Sequence, residues 1–295
     1  MTEQINHSPL FSQTWPAETA PTVSVLVPTY NHERFLGQCL ASILQQRTDF
    51  PVEIIVHDDA STDSTRAIIE AYAQKFPNII KPIFQSENQH AQHRKIRPIM
   101  LAQARGQFIA SCDGDDLWID HRKITKQLAC LLNHPQHVLS FHNAIRIDET
   151  NNVVLNKYEL PVRAQRNYRR EELRVLQWGW MFFGTVMHRN VKVDIPPEYH
   201  LIPNSDIFFP MLLAAFGGAI FQSDVGPLAY RQHQSGMWSL KSADEKSSMH
   251  IQTCLQITNY FVRIKEFENA QKIITGRLSR ELVNFFQKTD SDRQV

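Results

Sequence analysis

The run VSVLVPTYN, residues 23–31, decides the fold. Val23, Ser24, Val25, Leu26 and Val27 form a short, nearly continuous apolar stretch, and Pro28 stops it. Such a run, with no polar alternation, predicts a strand buried on both faces. Working outward, Phe35, Leu36, Leu40, Ile43 and Leu44 recur at helical spacing and predict a helix over 33–46. A strand over 52–56 follows, then a helix reaching about residue 76, with Ser61 and Asp63 as N-cap candidates. Strands over 79–84, 107–112 and 138–141 alternate with helices over 99–104 and 120–132. Strands alternating with helices over 22–142 predict an α/β fold, a mostly parallel Rossmann-like sheet with helices on both faces and right-handed crossovers. Ligands of such sheets bind outside the carboxyl ends of the strands.

Beyond residue 143 the pattern loosens. Residues 145–168 predict a hairpin or loop, 169–176 a short helix, 185–188 a strand, 205–216 a helix ended by Gly217 and Gly218, and 225–232 a strand. Residues 243–287 are mostly helical and amphipathic. The expected organisation is an irregular arm (1–21), a ligand-binding α/β half (22–142), a second half of the same domain (143–240) and a helical C-terminal extension (241–295).

Composition bounds the function. The 295 residues carry a formal net charge of +1, which gives no whole-protein argument for nucleic acid. Cys39, Cys112, Cys130 and Cys254 are scattered without a CxxC pair, so buried reduced thiols are expected rather than disulfides or a zinc knuckle. Residues 1–21 lack a basic segment followed by an apolar run, and no apolar stretch approaches the ~20 residues that span a bilayer. The expected location is the cytoplasm, with at most peripheral contact at the inner face of the plasma membrane.

The strand-end loops are unusually polar: PTYN after the first strand, HDDASTD after the second, DGDD after the fourth. Asp58, Asp59, Asp113, Asp115 and Asp116 are thus expected at one sheet edge. Carboxylates packed so densely repel one another unless a cation sits among them, and a hard divalent ion is the natural partner.

The segments VSVLVPTYN, EIIVHDDASTDST and GQFIASCDGDDLW resemble, in order, spacing and strand context, the opening of the family-two glycosyltransferases. DHRKITKQLACLLNHP, residues 120–135, is similar to a bacterial branch of that family that builds cell-surface polysaccharides. The resemblance implies the GT-A fold, a DXD motif and Mn²⁺ or Mg²⁺ as cofactor. It implies inverting sugar transfer from a UDP- or dTDP-type nucleoside diphosphate sugar to a saccharide or lipid-linked saccharide acceptor. By the same resemblance, Pro28, Thr29, Tyr30 and Asn31 line the base pocket, with Asp58 and Asp59 beside them and Asp59 accepting the base imide. Asp113, Asp115 and Asp116 form the metal region, with either Asp115 or Asp116 touching the ion. Asp206, before an apolar helix, is the general base; His233, in a YRxHxxGxW-like loop, closes over the diphosphate or acceptor.

The chain departs from the family pattern. His57 replaces an aliphatic residue, Ala60 a frequent glycine, and Ser205 the usual Glu before the base. Residues 88–97 lack glycines and carry His90, His93, Arg94, Lys95 and Arg97, either a solvated basic loop or a diphosphate clamp through Arg94 and Arg97. Trp178 and Trp180 either shape the acceptor pocket or pack in the core. Arg163, Arg166, Arg169, Arg170 and Arg174 form a solvated face or meet anionic lipid. Ile251, Leu255, Ile257, Phe261 and Ile264 face the domain, a membrane or a second copy of the chain. Three rival readings are a metal phosphohydrolase, from His57-Asp58 and the pairs His90/His93 and His134/His137; a GT-A scaffold that binds nucleotide sugar without turnover; and nucleotidyl transfer, for which PTYNHERF supplies no Gly-rich basic loop.

Overall fold

The computed structural model describes residues 8–16, 18–155, 160–175, 181–234, 236 and 241–291. Its first strands are β1 (Ser8–Pro9), β2 (Val23–Thr29), β3 (Arg47–Thr48), β4 (Val52–Asp58), β5 (Ile80–Phe84), β6 (Phe108–Ser111) and β7 (Leu117–Trp118). Then come β8 (His137–Phe141), β9 (Ala144–Ile147), β10 (Val153–Leu155), β11 (Met187–Arg189), β12 (Gly218–Phe221) and β13 (Leu228–Arg231). The helices are α1 (Leu36–Leu44), α2 (Thr65–Lys75), α3 (Ile96–Gln103), α4 (Lys123–Asn133), α5 (Arg170–Arg174), α6 (Pro197–Leu201), α7 (Ser205–Leu213), α8 (Ala243–Arg263), α9 (Phe267–Lys272) and α10 (Ser279–Ser291).

Seven strands make the central sheet, in the order β12-β8-β11-β6-β2-β4-β5. β6, β2, β4 and β5 are parallel neighbours, and β12 runs parallel to β8. β11 is antiparallel to both β6 and β8. It is the strand expected over 185–188, displaced because Phe183–Thr185 forms a 3₁₀ turn in which the Thr185 hydroxyl donates to the Phe182 carbonyl at 2.7 Å. A smaller sheet, β10-β9-β13-β7, carries the expected hairpin, β9 pairing antiparallel with β10.

The apolar run of β2 is continuous because both its faces are covered. Val23, Val25 and Val27 share a core with Val52, Ile54 and Val56 of β4 and with Leu36, Leu40 and Ile43 of α1. Leu26 and Ile55 pack on the other face, with Ile109 of β6 and Met100 of α3. A third core joins α5 through α9 to β8. The four cysteines are free thiols; Cys39, Cys112 and Cys254 are buried and Cys130 is half-buried.

One expectation changes and two open ones narrow. The arm is not wholly irregular: β1 pairs antiparallel with β3, and Leu10 is buried in the α1 core. Ile257 and Phe261 of α8 are buried in the domain, with Ile251 and Ile264 packed beside them, so this face of α8 meets the protein itself; Leu255 is exposed. The arginine stretch is largely paired within the chain: Arg166 and Arg169 with Glu172, Arg174 with Glu266. No helix among the described residues is long and apolar enough to cross a membrane.

The amino ends of β2 and β4 close on a buried polar knot. The Ser24 hydroxyl donates to Glu53 at 2.6 Å and accepts the Gly106 amide at 2.8 Å. A Cβ on Gly106 would lie 2.5 Å from the Ser24 backbone nitrogen. Gly106→Ala should therefore destabilise the protein by about 1–3 kcal/mol, the usual cost of overpacking. Urea unfolding checks this, and an unchanged midpoint would contradict it.

Candidate active site

The loops after β2 and β4 hold each other. Asn31 N donates to Ser61 Oγ at 2.9 Å, and Thr62 N to Asn31 Oδ1 at 2.8 Å. Glu33 N donates to Asp63 Oδ2 at 3.0 Å, and Ser64 N returns a bond to Glu33 Oε2 at 2.9 Å. Asn31 and Ala60 sit at φ 54° and 61°. Asparagine tolerates that left-handed region; at Ala60 it is the conformation that favours glycine. Thr29 is buried, its carbonyl accepting the Asp59 amide at 3.0 Å, and Tyr30 is exposed. Pro28 lies beside His57 in the β2–β4 ladder.

The five expected carboxylates do not form one cluster. Asp58 turns back to the Ser61 amide (3.1 Å) and hydroxyl. Asp59 accepts the Gln89 and His90 amides at 2.8 and 3.0 Å. His57 Nε2 meets Gln85 Nε2 at 3.0 Å, so His57 and Asp58 take different partners. Loops at a strand end leave free amides, and the nearest carboxylates satisfy them: Asp58 within its own turn, Asp59 across to the loop after β5.

Asp113, Asp115 and Asp116 follow β6 and stay together. Burial pushes the Asp113 carboxyl up to about 7, Asp115 and Asp206 add to this, and Arg97 opposes it. Burial pushes Asp116 well above the carboxylate range, although the Arg231 amide donates to its Oδ1 at 2.8 Å. Burial would raise Asp115 too, but the His233 hydrogen bond and the nearby imidazoles hold it below the usual range. His233 Nε2 lies 3.0 Å and His32 Nε2 3.7 Å from Asp115 Oδ2. The ligand atoms of His32, Asp115 and His233 all lie within 4.8 Å of one another, an arrangement that fits a divalent ion.

Asp206 lies in the first turn of α7, and Arg97 Nη2 is 3.3 Å from its Oδ1. The Arg97 guanidinium stacks 3.4 Å above the Phe183 ring. Arg97 thus sits beside the expected base, while Arg94 contacts Gln89 at 3.4 Å. A cavity of about 340 Å³ between the arm and β4–β5, lined by Trp15, Glu53 and Lys81 among others, shares no residue with this site. Trp178, Trp180, Ser235, Met237 and Trp238 lie outside the described residues.

Sequence reasoning missed His32, and marked Arg231 only as part of the YRxHxxGxW-like loop, without its contacts. His32 directly follows the PTYN turn, a position that signals little by itself. Arg231 is buried; its guanidinium donates to the Asp115 carbonyl (2.8 Å), Asn151 Oδ1 (2.8 Å) and Gln38 Oε1 (2.9 Å). It ties α1, the acidic loop and the β9–β10 turn together, just before His233 in the chain.

The profile of Glycosyl transferase family 2 matches residues 24–189. The chain belongs to that family. An uncharacterized protein of Mycobacterium tuberculosis is 31% identical over 229 residues, 76% of this chain and 62% of that protein, so the chain spans less than two thirds of this relative. The poly(ribitol-phosphate) beta-N-acetylglucosaminyltransferase TarS of Staphylococcus aureus is 37% identical over 119 residues, 39% of this chain and 20% of TarS. Among solved structures, TarS 1–349 with UDP-GlcNAc superposes with a TM-score of 0.56 at 20% identity, covering 81% of this chain and 67% of that one. The mannosyltransferase PcManGT of Pyrobaculum calidifontis, with GDP-Man and Mn²⁺, gives 0.56 at 17% identity over 93% and 78%. These likenesses establish the GT-A fold expected from the strand-end motifs.

In the metal-free protein Asp113 keeps its proton to about pH 7, whereas the ordinary value is 3.8. The folded state then binds the extra proton, so this group's contribution to stability is full at low pH and is lost as pH rises from about 4 to about 7. Asp113→Asn should gain on the wild type across that window. Urea titrations of chelator-treated proteins check this; a pH-independent difference would refute it.

Proposed function

We propose that the chain is a metal-dependent, inverting glycosyltransferase. It takes a sugar from a UDP- or dTDP-type nucleoside diphosphate donor and passes it to a saccharide or lipid-linked saccharide in cell-surface polysaccharide synthesis. The observation that carries this reading is the convergence of Asp113, Asp115, His233, Arg97 and Asp206 on one site. The TarS complex with UDP-GlcNAc and the PcManGT complex with GDP-Man and Mn²⁺ support the donor class and the ion.

Residues 22–142 hold the donor and 143–240 the acceptor. Thr29 and Tyr30 face the base; Tyr30 is exposed, which leaves its ring open to stacking, while both oxygens of Asp59 are taken by the Gln89 and His90 amides, so Asp59 shapes the pocket wall. Asp115, rather than Asp116, holds the ion, because Asp116 is engaged by the Arg231 amide. When bound, Mn²⁺ or Mg²⁺ neutralises the departing diphosphate. Arg97 adds positive charge beside the same phosphates. Asp206 accepts the acceptor hydroxyl proton during attack; its side chain is 59% exposed and so within an acceptor's reach.

Asp206→Asn should lower transfer by about 10²–10⁴ while leaving donor binding intact. Thermal-shift titration with nucleotide sugars and Mn²⁺ reads binding, and product formation reads transfer. Near-normal turnover would remove Asp206 as the base.

A further inference from the structure

We propose that His32 is a third protein ligand beside Asp115 and His233, and that the site therefore takes up its divalent ion without the nucleotide. This rests on the metal-dependent reading above. The three groups come from separate segments: the loop after β2, the loop after β6 and the segment after β13. Bonds of about 2.0–2.2 Å place neighbouring ligand atoms about 3.0–3.6 Å apart. The two edges at Asp115 Oδ2 are 3.0 and 3.7 Å and the imidazole ligand atoms lie within 4.8 Å of each other, so the ion would draw the two rings together about the carboxylate.

Each group is held by contacts that are not ligands. The His32 amide donates to Thr65 Oγ1 at 2.8 Å. The His233 ring packs 4.7 Å from Phe35, and the Asp115 carbonyl accepts from Arg231 at 2.8 Å. A Cβ on Gly114 would lie 2.7 Å from Thr29 Oγ1 and 2.9 Å from His32 Nδ1. Both of those atoms are buried without a hydrogen-bond partner, so polar groups line the space that only glycine leaves open.

A carboxylate with no nitrogen neighbours suits Mg²⁺, which usually needs substrate phosphate to complete its shell. Two imidazoles and one carboxylate suit first-row transition ions and leave positions open for phosphate oxygens. The two nitrogens disfavour Mg²⁺, so the site should load a first-row ion first and the donor second; Mn²⁺ is the lowest in affinity of that series and therefore the most demanding probe of it.

Mn²⁺ binding to the full chain, followed by electron paramagnetic resonance with and without UDP, tests this. The expected result is one bound Mn²⁺ without UDP, with nitrogen couplings from two imidazoles. His32→Gln should remove one coupling and weaken nucleotide-free binding about tenfold or more, the order of loss that follows removal of a metal-site partner. Binding that requires UDP, or a single coupled imidazole in the wild type, overturns the role of His32, and the wild-type measurement decides even if the variant does not fold. No Mn²⁺ binding with or without UDP would instead sink the metal-dependent reading.

Discussion

Three carboxylates crowded at the end of β6 repel one another, and the surrounding structure is arranged around that repulsion. Burial raises the cost of each charge, and proximity raises it again. The protein answers with a different partner for each. Asp116 receives a backbone amide, Asp115 faces two imidazoles, and Asp113 holds a proton near neutrality unless a cation arrives.

Arg231 makes that arrangement rigid. Its guanidinium reaches the main chain of the acidic loop, α1 and the β9–β10 turn, and its own amide holds Asp116. Removing one partner from such a buried network leaves unsatisfied polar groups, which is costlier than the loss of a single bond. The same short segment delivers His233. The small sheet that contains β13 is therefore part of the site's support.

Arg97 joins the start of α3 to the start of α7. Its guanidinium lies 3.4 Å from the centre of the Phe183 ring and reaches Asp206 at 3.3 Å, so under the proposed reading one cation would influence both the phosphate region and the base. Ser205 stands where the family usually has Glu, and Arg97 is the charged side chain that pairs with Asp206 among the described residues.

The parallel core was legible in the residue pattern, because strands buried on both faces leave an unbroken apolar run such as 23–27. The places of the DGDD loop, at a strand end, and of Asp206, at a helix start, were legible too, because both elements follow from the residue pattern. Which carboxylates meet was settled only by folding. Asp58 and Asp59 close the neighbouring strand, yet the Ser61 amide claims the first and the Gln89 and His90 amides, from the loop after β5, the second. His32 gave no signal, and Arg231 only its place in the YRxHxxGxW-like motif, because their contacts depend on the acidic loop, which lies far from each of them along the chain. The reversed β11 was hidden for a similar reason: strand direction follows from the chain's path through space, which a local pattern does not record.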